Sequence, residues 1–163
     1  MSGKLRVGIS EFRVARAPAV LVAYGLGSCL GVILDDRQRC LGGMAHTLLP
    51  TPRPGVQEVR LAKFVDAAIR LMADELVSLG AARGSLTARL VGGANMFEPL
   101  YAPSEESIGA RNVRMARATL LDLEIPLLAE DVGGGHGRTV EFDLATGQVL
   151  VRSVHGDDTL LAG

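Results

Sequence analysis

The sequence predicts an α+β fold: one domain with two main helices packed on mixed or antiparallel β-sheets. Strand patterns crowd both ends of the chain, two helical periods lie in the middle, and no strict β-α-β alternation runs through them. The 163 residues are 48% apolar and 21% charged, enough to bury a sizeable core in a single unit.

Taken in order, Arg6–Ser10 and Val14–Arg16 read as short strands, and Ala19–Tyr24 is an apolar run of strand length that stops at Gly25. A Gly-Leu-Gly-Ser turn then delivers Cys29. Leu30–Leu34 is β-prone, Asp35–Arg39 closes it as a polar turn, and Cys40–Leu49 returns as its hairpin partner until Pro50, Pro52 and Pro54 end the strand. From Glu58 to Leu79 the apolar positions Leu61, Phe64, Val65, Ala68, Leu71, Met72 and Leu76 keep a helical period, with Gly80 as the C-cap. Leu86–Val91 is a strand running into Gly92-Gly93. Glu105–Leu123 is the second helix, ended near Pro126, and Leu127–Asp131 follows as a strand. Arg138–Val154 alternates apolar and polar residues around Ala145-Thr146-Gly147, as a hairpin does.

Composition narrows the function. A formal charge of -1 and a pI near 6.3 give no electrostatic footprint for a phosphate backbone, so nucleic acid is not expected as a partner. No apolar run approaches the roughly 20 residues that span a bilayer, and Met1–Ser10 lacks the apolar stretch of a signal peptide. The expectation is a cytoplasmic protein that is not membrane-inserted. Cys29 and Cys40 have no metal-ligand spacing and are expected as free thiols. No cofactor is expected.

Cys29 carries the chemistry. Small residues before it admit a substrate carbonyl, and turn N–H groups there can face a developing oxyanion. A free thiol is only a few per cent ionised at pH 7, so a nucleophilic cysteine needs a base. If Leu30–Leu34 and Leu41–Leu48 pair as a hairpin, His46 returns to the end where Cys29 lies. Against this stands the plainer alternative, since buried cysteines and strand histidines are common in ordinary cores. Cys40, inside an apolar strand, is expected to be such a core thiol. The glycine loops Val91–Phe97 and Asp131–Arg138 match neither a phosphate loop nor a dinucleotide fingerprint, and each reads either as a tight turn or as a site lining. His136 is an alternative base, Arg138 a candidate substrate or partner contact, and His155 a solvated side chain.

Six segments, in order, resemble the CheD family of chemoreceptor glutamine deamidases: Gly25–Gly31, Gly43–Pro50, Lys63–Asp66, Val91–Phe97, Ile108–Asn112 and Glu130–Arg138. The resemblance implies that Cys29 attacks a receptor glutamine amide with His46 as base and acid, leaving glutamate through a thioester; some members also hydrolyse receptor methyl esters. Gly27, Ser28, Gly93 and Asn95 are then candidate oxyanion or substrate-loop residues. The implied partners are the cytoplasmic helices of chemoreceptors and a CheC-type phosphatase, and the implied fold is that of toxin deamidases with a cysteine–histidine site. One position departs from the pattern. The family's third catalytic residue, a threonine six positions before the cysteine, is Ala23 here, and a methyl group cannot accept a hydrogen bond from histidine. Tyr24, Thr47 or a backbone carbonyl would have to replace it. Two other functions are therefore held open: a catalytically weak CheD-like adaptor, and a small-molecule binder using the Gly92 and Gly133 loops with Cys29 inert.

Overall fold

The computed structural model describes residues 3–55, 57, 60–96, 106–154, 156 and 158–161. They form three layers: an outer sheet, a central sheet, and two helices packed on the central sheet's far face.

The outer sheet has the order β1-β3-β8-β9-β10, with β1 (Lys4–Arg6), β3 (Val20–Leu26), β8 (Arg138–Asp143), β9 (Val149–Ser153) and β10 (Asp158–Leu161). The central sheet has the order β2-β5-β4-β6-β7, with β2 (Glu11–Arg16), β4 (Leu30–Asp36), β5 (Leu41–Thr47), β6 (Thr87–Gly92) and β7 (Leu127–Val132). Each sheet is mixed: β1 runs parallel to β3 and β6 parallel to β7, while the other ladders are antiparallel.

Strands β4 and β5 are buried along their whole length, because helices cover one face and the outer sheet the other. That explains their near-continuous apolar runs, which carry no two-residue alternation. On the helix side Leu30, Val32 and Leu34 meet Ala68, Ile69, Met72 and Leu76 of α1 (Val65–Ser78) and Ala116 and Leu120 of α2 (Ile108–Asp122). Between the sheets, Ile33, Met44 and Val91 meet Leu21, Leu26, Val140 and Phe142.

Both helices fall inside their expected ranges but are shorter. A 3-10 turn at Leu61–Lys63 precedes α1, while Glu58 and Val59 lie outside the described residues. The end matches the Gly80 expectation: Gly80 has φ +114°, its N–H donates to Val77, and the Ala81 N–H donates to Leu76. Ser107 caps α2 by accepting from the Ala110 N–H at 3.1 Å; Glu105 lies outside the described residues.

Three expectations need correction, and one strand is new. The first strand is Lys4–Arg6, not Arg6–Ser10, because the chain leaves the sheet after Arg6 and turns at Ser10, whose φ is +66°. Strand β3 does not stop at Gly25. It continues to Leu26 through a bulge, with Gly25 at φ +66° supplying the left-handed residue such an irregularity needs. Cys40 is not a core thiol in a strand: it ends the β4–β5 turn at φ +51°, half-buried, with Arg37 Nη2 3.0 Å from its sulfur. Strand β10, read from no pattern in the sequence, pairs with β9.

Met72, fully buried between α1 and the central sheet, and Leu121, 80% exposed on α2, make a matched test. Met72→Ala is expected to cost about 2–5 kcal/mol as a lowered urea midpoint. Leu121→Ala is expected to stay within about 0.5 kcal/mol of the parent.

Candidate active site

The chain passes from the outer sheet to the central sheet between β3 and β4, and Cys29 sits at the end of that crossing. It is 8% exposed and belongs to the inter-sheet core. In the antiparallel β4–β5 ladder Gly31 lies opposite His46, so Cys29, two residues earlier, is a diagonal neighbour of the histidine. Such neighbours are about 7–8 Å apart at Cα, within reach of longer side chains. Register also fixes direction. His46 lies two residues from Met44, which faces the outer sheet, and Cys29 packs in that same layer. The expected hairpin is present, and it places the two on the same face of the central sheet.

The histidine is 2% exposed. Its Nδ1 lies 3.2 Å from the carbonyl oxygen of Val7, which only accepts, so Nδ1 carries the proton and the neutral ring presents a bare lone pair at Nε2. Nε2 has no hydrogen-bond partner among the described residues. A buried nitrogen left this way costs free energy in a structural role and is available as a base in a catalytic one. Val7 is itself held in place, its N–H donating to Val22 O at 2.8 Å.

The three side-chain or backbone substitutes weighed for the missing threonine are now distinguished. Ala23 is fully buried and offers only its methyl. Tyr24 is 52% exposed, and the Thr47 hydroxyl donates to Leu30 O at 2.9 Å. The acceptor is the Val7 backbone carbonyl.

Burial shapes the charges. Desolvation pushes the Cys29 thiol above its ordinary value, opposed by hydrogen bonding from its own backbone N–H. Desolvation also pulls His46 below the ordinary imidazole range, against the Val7 hydrogen bond. Both shifts favour the uncharged forms, thiol and neutral imidazole.

The neighbouring loops divide by what their N–H groups do. Gly93 N–H donates to Cys29 O, Ala94 N–H to Gly27 O and Asn95 N–H to Gly134 O, each at 2.8 Å. Gly93 and Ala94 therefore brace the Gly27–Cys29 turn while Asn95 ties its own loop to Gly134, so the Gly93 and Asn95 amides are already engaged, whereas the Gly27 and Ser28 N–H groups donate to no backbone carbonyl among the described residues. Ser28 and Asn95, with Ala94, Met96 and Gly109, line a depression of 150 Å³. That is below the roughly 300–1,000 Å³ of small-molecule sites and of a size for a single side chain.

A larger cleft of 560 Å³ runs past Gly93, Asn95 and Gly133–Gly135. Its two arginines are engaged within the protein, Arg114 with Glu106 at 2.6 Å and Arg117 with Glu130, which argues against the anion- or nucleotide-binding alternative. His136 lies on the loop beside it. The Arg138 side chain, a candidate substrate or partner contact, is 3% exposed, and its Nε donates to Asp131 at 3.1 Å. His155 and Phe97 lie outside the described residues.

A family model described as CheD chemotactic sensory transduction matches residues 48–153. The chain belongs to the CheD family. Among its relatives, a Geobacter metallireducens protein named "Probable chemoreceptor glutamine deamidase CheD 2" is 52% identical over 94% of this chain and 96% of its own. A CheD protein of the same function name from Geobacter sulfurreducens is 46% identical over 94% and 96%. One from Pyrococcus abyssi is 41% identical over 98% of both chains. The CheD family model begins after Cys29 and His46, but these full-length relatives extend over the segment that contains them. No helix among the described residues is long and apolar enough to cross a membrane.

The two shifts have a measurable signature. Alkylation of Cys29 by iodoacetamide, followed on its own peptide by mass spectrometry, is expected to rise with a midpoint above the thiol's ordinary pKa. In NMR the His46 ring is expected to stay neutral until the pH falls below 6.5. An alkylation midpoint below pH 7 would show a resting ion pair instead.

Proposed function

We propose that the protein is a chemoreceptor glutamine deamidase with Cys29 as nucleophile and His46 as general base and acid. The observation that carries this reading is the histidine: it shares the inter-sheet layer with Cys29, its Nδ1 is fixed by Val7, and its Nε2 is left open. The names borne by the relatives supply the substrate class.

The glutamine amide enters the small depression beside Ser28. His46 Nε2 takes the thiol proton as the sulfur attacks the amide carbon, so the raised thiol pKa is overcome in the attack itself. The oxyanion faces N–H groups of the Gly27–Cys29 turn. On collapse the C–N bond breaks, and ammonia leaves with the proton held on Nε2. Water, deprotonated by the same nitrogen, then attacks the thioester; the C–S bond breaks, the thiol regains its proton and glutamate remains. A glutamyl methyl ester would pass through the same thioester, with methanol leaving in place of ammonia.

In this reading the chain acts as one catalytic unit in the cytoplasm, on the cytoplasmic helices of receptors, with a CheC-type phosphatase as a binding partner. Its fold is that of the cysteine hydrolases that include toxin deamidases. The adaptor alternative drew its support from Ala23, and the Val7 carbonyl removes much of that support by holding His46 without a threonine.

Mass spectrometry of a receptor cytoplasmic fragment incubated with the protein tests the proposal. A gain of about 1 Da at defined glutamines is expected, absent with Cys29→Ala, and lowered in rate about 10²–10⁴-fold by His46→Ala. Receptor binding with no mass change would favour the adaptor. Ala23→Thr is expected to raise kcat less than about tenfold, because His46 Nδ1 already has its acceptor; a larger gain would assign the orienting role to the missing hydroxyl.

A further inference from the structure

Asn112 lies on the face of α2 turned toward the central sheet and is fully buried. Its side-chain nitrogen donates to two carbonyls, Ser28 O at 2.9 Å and Leu48 O at 3.1 Å. These belong to separate segments. Ser28 is in the sheet-to-sheet crossing, immediately before Cys29; Leu48 is two residues past His46, where the chain leaves β5. Both amide hydrogens are thus spent joining the two stretches that carry the reacting pair. The orientation of the amide is settled by these partners, since two carbonyls require a donor between them.

The other end of the side chain, Oδ1, is buried with no partner among the described residues. Leaving a polar atom this way is unfavourable, so an apolar residue of similar size would suit packing alone better. What the amide offers in return is the clamp. Helix α2 can act as its anchor because Gly109, one turn earlier, lets the helix backbone approach the 93–94 loop: a Cβ there would lie 2.5 Å from Gly93 O.

Peptide geometry gives the clamp a chemical effect. In a trans peptide the C=O and the following N–H point in opposite directions. Fixing the Ser28 carbonyl toward α2 therefore turns the Cys29 N–H away from α2, and hydrogen bonding from that N–H lowers the thiol pKa against the burial that raises it. We propose that Asn112 is a positioning residue that sets the plane of the Ser28–Cys29 peptide, keeping the Cys29 N–H aimed at the sulfur and at the oxyanion that forms beside it. The proposal rests on Cys29 being the nucleophile.

The test compares Asn112→Ala, Asn112→Ser and, as a control for lost stability, Leu120→Ala on the same buried helix face. Two measurements are made on folded protein: receptor deamidation, and the pH profile of Cys29 alkylation read on its own peptide. For Asn112→Ala, kcat is expected to fall about 10–100-fold with KM changed less than about twofold. The alkylation midpoint is expected to move to higher pH, since a misdirected N–H supports the thiolate less. Simple exposure of the thiol would instead move the midpoint to lower pH, since burial is what raises it. Asn112→Ser, which keeps one donor, is expected to lie between; it serves alone should the alanine variant not fold. A midpoint and kcat indistinguishable from those of Leu120→Ala would overturn the proposal. If the parent protein itself leaves receptors unchanged, the deamidase reading falls, and the alkylation midpoint still decides for or against the clamp.

Discussion

Burial of the central sheet on both faces is the constraint from which the rest follows. Strands β4 and β5 have no exposed residue, so every polar group on them must find an internal partner or stand as an exception that calls for a reason. Thr47 finds Leu30 O, and His46 Nδ1 finds Val7 O. Asp35 pairs with Arg89 at 3.5 Å, both side chains 4% exposed, and burial pushes its carboxyl up against the pull of Arg37 and Arg89. That pair closes the far end of the inter-sheet layer, where Arg37 also reaches Leu144 O at 3.0 Å from the outer sheet's hairpin. The histidine Nε2 is an exception in the same layer, and it lies at the other end, near the only cysteine of the inter-sheet core among the described residues.

The layering also explains why Cys29 is where it is. A chain that builds strands of two stacked sheets must cross between them, and a crossing needs compact residues and backbone N–H groups not committed to a ladder. The Gly-Leu-Gly-Ser turn meets both needs, and under the proposed mechanism the requirements of connection and of acyl transfer coincide at residues 25–29. Helix α2 then closes over the turn, its Asn112 and Gly109 making contact by hydrogen bond and by close backbone approach.

Much of this was legible in the sequence, for identifiable reasons. The helical period in α1 and the Gly80 stop follow from local rules that burial does not disturb, and the β4–β5 hairpin could be read because a polar turn separates two apolar runs. The hairpin pattern alone returns His46 to the end of the strand pair where Cys29 lies. What escaped was non-local. Parallel pairing of β1 with β3 depends on a partner sixteen residues away, and β10 is a short edge strand with no alternation of its own. Gly25 reads locally as a stop, yet the ladder with β8 resumes at Leu26. Within the site, Asn112 was quoted only as part of a motif, because nothing in the sequence says that a helix residue reaches two loop carbonyls more than sixty positions upstream. Val7 carried no signal at all, since the group it contributes is one that every residue possesses.

That last point bears on how such a site can change over generations. A side chain that orients a histidine is lost by one codon change, whereas a main-chain oxygen survives almost any replacement of its own residue. Heredity reaches it only indirectly, through the residues that set the path of the segment, such as Gly8 and the left-handed Ser10 just beyond it. Substitution at position 7 should therefore be tolerated as a matter of size and shape. Insertions or deletions between residues 7 and 11, which would shift the carbonyl along the chain, are the lesions to which this arrangement is exposed.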